Sequence, residues 1–106
     1  MQPNRDPFYA LADPTRREIL MMLSKDSLPI NSLAENFDMS RPAVSKHIKI
    51  LSESGFISIT EYGRERYCEL NSEGFKEVNK WVNFFEQFWP KKMKKLEGLL
   101  KKRGKG

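Results

Sequence analysis

The 106-residue chain has one cysteine, Cys68, and one histidine, His47. A lone thiol closes no intramolecular disulfide, and one imidazole makes no metal site. There is no hydrophobic leader and no run of about 18 apolar residues, so a soluble, cytoplasmic protein with a reduced thiol is expected. Glycine-rich phosphate loops are also absent. Ser45 and His47 lie too far apart around a helix to serve as nucleophile and base, and no cofactor motif stands elsewhere, which argues against an enzyme. No segment repeats. At this length one domain and one core are expected, and with them one site.

What the chain does have is positive charge, unevenly placed. The formal total is +5. From Lys91 onward eight Lys or Arg face the single Glu97, a balance of +7 that leaves residues 1–90 at −2. A polyanionic partner suits the total, but the distribution keeps charge from proving it.

Helix signals come in order. Asp6-Pro7 and Asp13-Pro14 each pair a capping carboxylate with a proline in the first turn, and they open helices through Ala12 and to about Lys25. Ile19, Leu20 and Leu23 fall at core spacing on the second. Asn31 is read as the cap of a third helix through Phe37, and Ser40 as the cap of a fourth that stops at Gly55. Two short helices across a tight turn make a helix-turn-helix. The runs Phe56–Glu61 and Arg66–Leu70 are β-branched and aromatic, and they predict a hairpin around Tyr62–Glu65. Asn71 or Ser72 then caps a long helix in which Phe75, Val78, Val82, Phe85, Trp89, Met93, Leu96 and Leu100 recur at three-four spacing, and Pro90 should kink it or end its first half. The fold class read from this pattern is mainly α with a small β-hairpin wing, a winged helix-turn-helix over residues 1–100 with a basic flexible tail at 101–106.

On a wheel of about 100° per residue, Val44, Ile48 and Leu51 share one side of the Ser40 helix, and Pro42, Ser45, Lys46, Lys49 and Glu53 share the other. Lys and Arg donate to guanine edges, Ser donates or accepts, and Ala43 can approach a thymine methyl. Arg41 and the helix N-terminus can meet phosphate. A merely solvated helix face is the competing reading. His47 sits at the edge of the buried side, either as a packing residue or as a phosphate or base donor. Around Gly63, Arg64 and Arg66 can reach phosphate or a narrow minor groove, or pair across the hairpin with Glu61 or Glu65. Cys68 shares strand parity with Leu70 and is expected to point inward.

Five aromatics stand between Trp81 and Trp89. They cover more than the one stripe a monomer core needs. Phe85 continues the core series, while Trp81, Phe84 and Phe88, with Phe8, Tyr9 and Leu11 of the first helix, are read together with it as half of a two-fold interface. A membrane-surface helix, with Lys91, Lys92, Lys94 and Lys95 beyond the aromatics, and a site for a regulatory ligand or protein stay open beside the homodimer.

The stretches Asp13-Pro14-Thr15-Arg16-Arg17-Glu18-Ile19-Leu20, Ser40-Arg41-Pro42-Ala43-Val44-Ser45-Lys46-His47-Ile48 and Gly63-Arg64-Glu65-Arg66 resemble the ArsR/SmtB family of winged-helix repressors. The resemblance implies a homodimer that represses at a double-stranded DNA operator, its own promoter included. The metal-ligating cysteines and the His and Asp ligands of the metal-sensing members have no counterparts in 31–37 or 75–100, so no metal and no cofactor are expected. The chain looks more like the metal-independent branch of sporulation-delaying-protein autorepressors, which implies control by a regulatory or membrane-associated protein.

Overall fold

The computed structural model describes residues 6–88. Expectations resting on Trp89, Pro90, Met93, Leu96, Leu100 and the 101–106 tail lie outside those residues. Helix α1 (Pro7–Leu11) begins where the Asp6 carboxylate accepts the Phe8 N–H at 3.0 Å. Helix α2 (Pro14–Leu23) begins in the same way, with Asp13 accepting from Arg16 N–H at 3.1 Å. In both, proline takes a position whose N–H would have no intrahelical partner. Strand β1 (Leu28–Pro29) runs straight into α3 (Ile30–Glu35), and α4 (Arg41–Glu53) is capped by the Ser40 hydroxyl, 3.3 Å from Ala43 N–H. Gly55, at φ +82°, reverses the chain into β2 (Ile57–Tyr62) and β3 (Glu65–Leu70). Asn71 accepts from Glu73 N–H at 2.9 Å and opens α5 (Ser72–Glu86).

Three local expectations are corrected. Asn31 caps nothing: α3 starts two residues earlier than a cap there would place it, at Ile30 behind Pro29 and without a side-chain cap, and ends at Glu35 rather than Phe37. Buried Ile30 explains the earlier start, because its side chain belongs to the core. The wing is also larger than a hairpin. β1 pairs antiparallel with β3 to give the order β1-β3-β2, with Leu28 opposite Cys68 and Pro29 opposite Tyr67. Proline is tolerated there because β1 is an edge. Finally, the hairpin closes on two residues, Gly63 and Arg64, rather than four. Gly63 has φ +59° and Arg64 has no positive φ, the pattern of a type II′ turn.

The core gathers Ile19, Leu20 and Leu23 of α2, Ile30 and Leu33 of α3, and Val44, Ile48, Ile50 and Leu51 of α4, closed by Phe56, Ile57 and Cys68. Helix α5 contributes less than its pattern predicts. Val78 packs against the core, but Phe75 and Val82 stay about two-fifths exposed, and Gly74 is the only buried residue of the helix. Beyond its first turns the helix lies against α1, where Phe8 meets Trp81, and within one protomer much of its apolar stripe stays exposed.

Cys68 points inward as expected. Burial pushes its thiol up to about 11 against the opposing charge of Arg66, so it stays protonated at neutral pH. A thiol reagent such as Ellman's is expected to leave native protein untouched and to titrate one thiol only in denaturant; rapid native labelling would contradict the inward placement.

Candidate nucleic-acid interface

The turn at 36–40 lets α3 brace α4 from behind, and the α4 side facing away from the core carries the polar residues. Arg41, Pro42, Lys46 and Lys49 are exposed, while Ala43 and Ser45 are half-buried. Arg66 reaches the same surface from the wing. It lines, with Ser45, Lys49, Ser52, Glu53 and Ile59, one open cleft of about 400 Å³ between helix and sheet. Register explains this. Arg66 sits opposite Glu61 on the sheet face that also holds Ile59 and Cys68, which is the face packed toward α4. Arg64 is exposed at the tip of the turn. Nearby, Tyr67 donates its hydroxyl hydrogen to Glu65 at 3.2 Å, bracing the tip from the opposite face.

His47 lies elsewhere. Its Nδ1 is 3.2 Å from a terminal nitrogen of Arg16, a residue only 6% exposed. The same guanidinium donates from Nε to Ala10 O at 2.7 Å and from its other terminal nitrogen to Tyr9 O at 2.9 Å, and it lies over the Tyr9 ring at 5.1 Å. Arg17 donates to Leu11 O at 2.6 Å, so two arginines hold the end of α1. Asp13 completes the cluster. Burial raises its carboxyl, but hydrogen bonds from the Arg16 and Thr15 N–H groups and the charges of His47 and Arg16 outweigh that and hold it below the usual carboxylate range.

Arg16, Ile50 and Gly74 were not marked as structural residues from sequence. Arg16 was legible: it stands at i of the pattern completed by Ile19, Leu20 and Leu23, so its spacing already placed it inside. Ile50 lies on the His47 side of the wheel, where α2 and α1 widen the buried arc. Gly74 stands in the first turn of α5, where a glycine signals close packing against a neighbour.

The aromatic residues form a connected surface. Phe8 of α1 meets Trp81 of α5 edge-on at 5.3 Å; Trp81 meets Phe85 at 4.9 Å, Phe85 meets Phe84 at 5.1 Å, and Phe84 meets Phe88 at 5.0 Å. Trp81, Phe84 and Phe88 are each more than half exposed, and Tyr9 nearly so. Leu11 is placed differently, half-buried against the core. No helix among the described residues is long and apolar enough to cross a membrane.

Comparison with known proteins agrees with this geometry. The family described as bacterial regulatory proteins, arsR family, matches residues 13–58, from the cap of α2 to the start of β2. The chain is 35% identical over 81 residues to the transcriptional repressor SdpR of Bacillus subtilis, covering 76% of this chain and 90% of that protein. It is 30% identical over 97 residues to the HTH-type transcriptional regulator Rv2034 of Mycobacterium tuberculosis, covering 92% and 88%. Among solved structures, an ArsR family transcriptional regulator aligns with a TM-score of 0.75 at 40% identity, covering 80% of this chain and 93% of that one.

Proposed function

Because the chain belongs to the arsR family of bacterial regulatory proteins, we propose that this DNA-binding transcription regulator acts in the cytoplasm as a homodimeric repressor, reading the major groove with α4. It is not an enzyme. The observation that carries the contact assignment is the shared surface of α4 and the wing, where exposed Lys49 lines one cleft with Arg66 and Lys46 is exposed on the same helix. In this reading Pro42, Ala43, Ser45, Lys46 and Lys49 face base edges, while Ser40, Arg41, Arg64 and Arg66 hold the backbone or the flanking minor groove. The aromatic surface of α1 and α5 joins two protomers and sets the two α4 helices about 34 Å apart, one turn of DNA, on a palindromic operator.

We propose that the releasing signal is not a transition metal, a reading that starts from the single cysteine and the single histidine of the chain. Cys68 is buried in the sheet, His47 faces Arg16, and among the described residues no three His, Cys, Asp or Glu converge.

Footprinting on the DNA upstream of the protein's own gene, followed by salt titration, tests the reading. Affinity is expected to fall steeply with ionic strength, and Lys46→Ala to weaken specific binding by about 10- to 100-fold. Absence of operator-specific binding at low salt would overturn it.

A further inference from the structure

We infer that Arg16 is a positioning residue for the DNA-reading helix: its guanidinium ties α4 to the end of α1 through a neutral His47, so charging that imidazole weakens operator binding. The inference rests on the DNA-reading role proposed for α4, and it assigns His47 a part distinct from touching DNA.

Chemistry fixes the direction of the bond. Arginine stays protonated at any accessible pH and has only donors. At 3.2 Å from it, His47 Nδ1 must therefore offer its lone pair, which puts the imidazole proton on Nε2. The other guanidinium nitrogens are tied down, because Nε and the second terminal nitrogen donate to Ala10 O and Tyr9 O and the buried group lies over the Tyr9 ring. The fork is thus a rigid three-point strut between the end of α1 and the middle of α4. His47 follows Lys46 directly and lies two residues from both Ser45 and Lys49, so a shift at His47 moves the groove-facing side chains with it. At its other end the strut reaches α1, whose Phe8 meets Trp81 on the aromatic surface.

Protonation reverses the contact. A charged imidazole has no acceptor at Nδ1 and sets two cations at hydrogen-bond distance. The Asp13 carboxylate on α2 offsets part of this repulsion, and it remains ionised through the histidine range because it is held low. Of the groups on the neighbouring elements, Asp13 at the start of α2 acts on the ring through its charge, and Tyr9 of α1 faces the guanidinium. The binding-competent form is therefore the neutral one, present at high pH and lost as pH falls. A histidine that donated to phosphate would give the opposite sign, since its cation would strengthen binding on acidification.

The experiment is fluorescence anisotropy with the footprinted operator at fixed salt, from about pH 8 to about pH 5.5, the span in which imidazoles change charge. Wild-type affinity is expected to drop about tenfold on acidification, the scale of one hydrogen bond to a charged group. His47→Leu is expected to bind about tenfold more weakly already at the upper pH, with a flat profile. His47→Asn places an uncharged amide oxygen where Nδ1 stood, and it should recover most of that loss while staying flat. Affinity that rises or holds constant on acidification, or a His47→Asn protein that keeps the wild-type slope, overturns the inference. Failure of every protein to bind at the upper pH would instead defeat the DNA-reading role. A measurement without DNA separates the two: imidazole nitrogen chemical shifts of the full chain should show the proton on Nε2 in the wild type and lose that bias in Arg16→Lys, and a proton on Nδ1 would refute the strut directly.

Discussion

Phe84→Glu is expected to convert the protein to monomers and to weaken operator binding by about 100-fold or more, the loss that follows when two linked half-site contacts become independent. Phe84 is 52% exposed in the protomer, and its ring touches Phe85 and Phe88 rather than the core. A carboxylate there leaves the protomer's own packing intact but would have to be desolvated inside an apolar interface, where an unpaired charge is not tolerated. Sedimentation equilibrium at micromolar protein should show the change of mass, while circular dichroism stays that of the wild type. A Phe84→Glu protein that remains dimeric would remove this surface from the interface. One that becomes monomeric yet binds the operator undiminished would remove the need for a dimer.

The prediction gains from an expectation that the structure corrected. Phe75, Val78, Val82 and Phe85 repeat at three-four spacing, and that periodicity marks a helix side that must be covered. It does not say by what. Val78 packs on the protomer core and Phe75 meets Phe56 at one edge while staying 39% exposed, and with Val82, Trp81, Phe84, Phe85 and Phe88 the apolar arc of α5 spans about half of the helix circumference. A pattern read as core therefore became part of the surface that a second chain would cover.

Elsewhere the sequence was explicit where chemistry is local. Asp6, Asp13, Ser40 and Asn71 all cap the helices they precede, because a short side chain before a helical run has one orphan N–H within reach. Gly55 and Gly63 take positive φ where the chain must reverse. Non-local features were hidden. Strand β1 is two residues long, too short for alternation to register, and it exists because β3 offers an open edge. The candidate reading face was legible as a wheel, but its alignment with Arg66 depends on strand register. The bond of His47 to Arg16 joins residues 31 positions apart, which no spacing rule on one helix could show.

Phe56→Ala is expected to cost about 3–5 kcal/mol, a large share of the roughly 5–15 kcal/mol that hold a domain of this kind together. Phe56 is fully buried at the joint where α4, the sheet and α5 meet. Its backbone is pinned on both sides, with its N–H donating to Leu51 O at 2.9 Å and its carbonyl accepting from Asn71 N–H at 2.8 Å, so the chain cannot close over the lost ring. One edge of the ring meets Phe75 at 4.8 Å. Gly74 lies against it so closely that a Cβ would fall 2.8 Å from Cδ1, while Gly74 N–H donates to Gly55 O at 2.8 Å and holds α5 in place. Two effects therefore oppose each other in Gly74→Ala. Replacing a glycine in the first helical turn gains less than the about 1 kcal/mol of a helix interior, while overpacking against an immobile ring costs about 1–3 kcal/mol, so the single substitution should destabilise. Remove the ring and the sign should turn. In the Phe56→Ala background the added methyl enters the cavity and the propensity gain stands alone, so Gly74→Ala should stabilise the double variant relative to Phe56→Ala. Urea unfolding of the four proteins at one fixed protein concentration, necessary because association adds to apparent stability, reads this cycle. Additive effects would mean that α5 is not seated on Phe56; a reversal of sign would locate the seat of the helix that carries the aromatic surface.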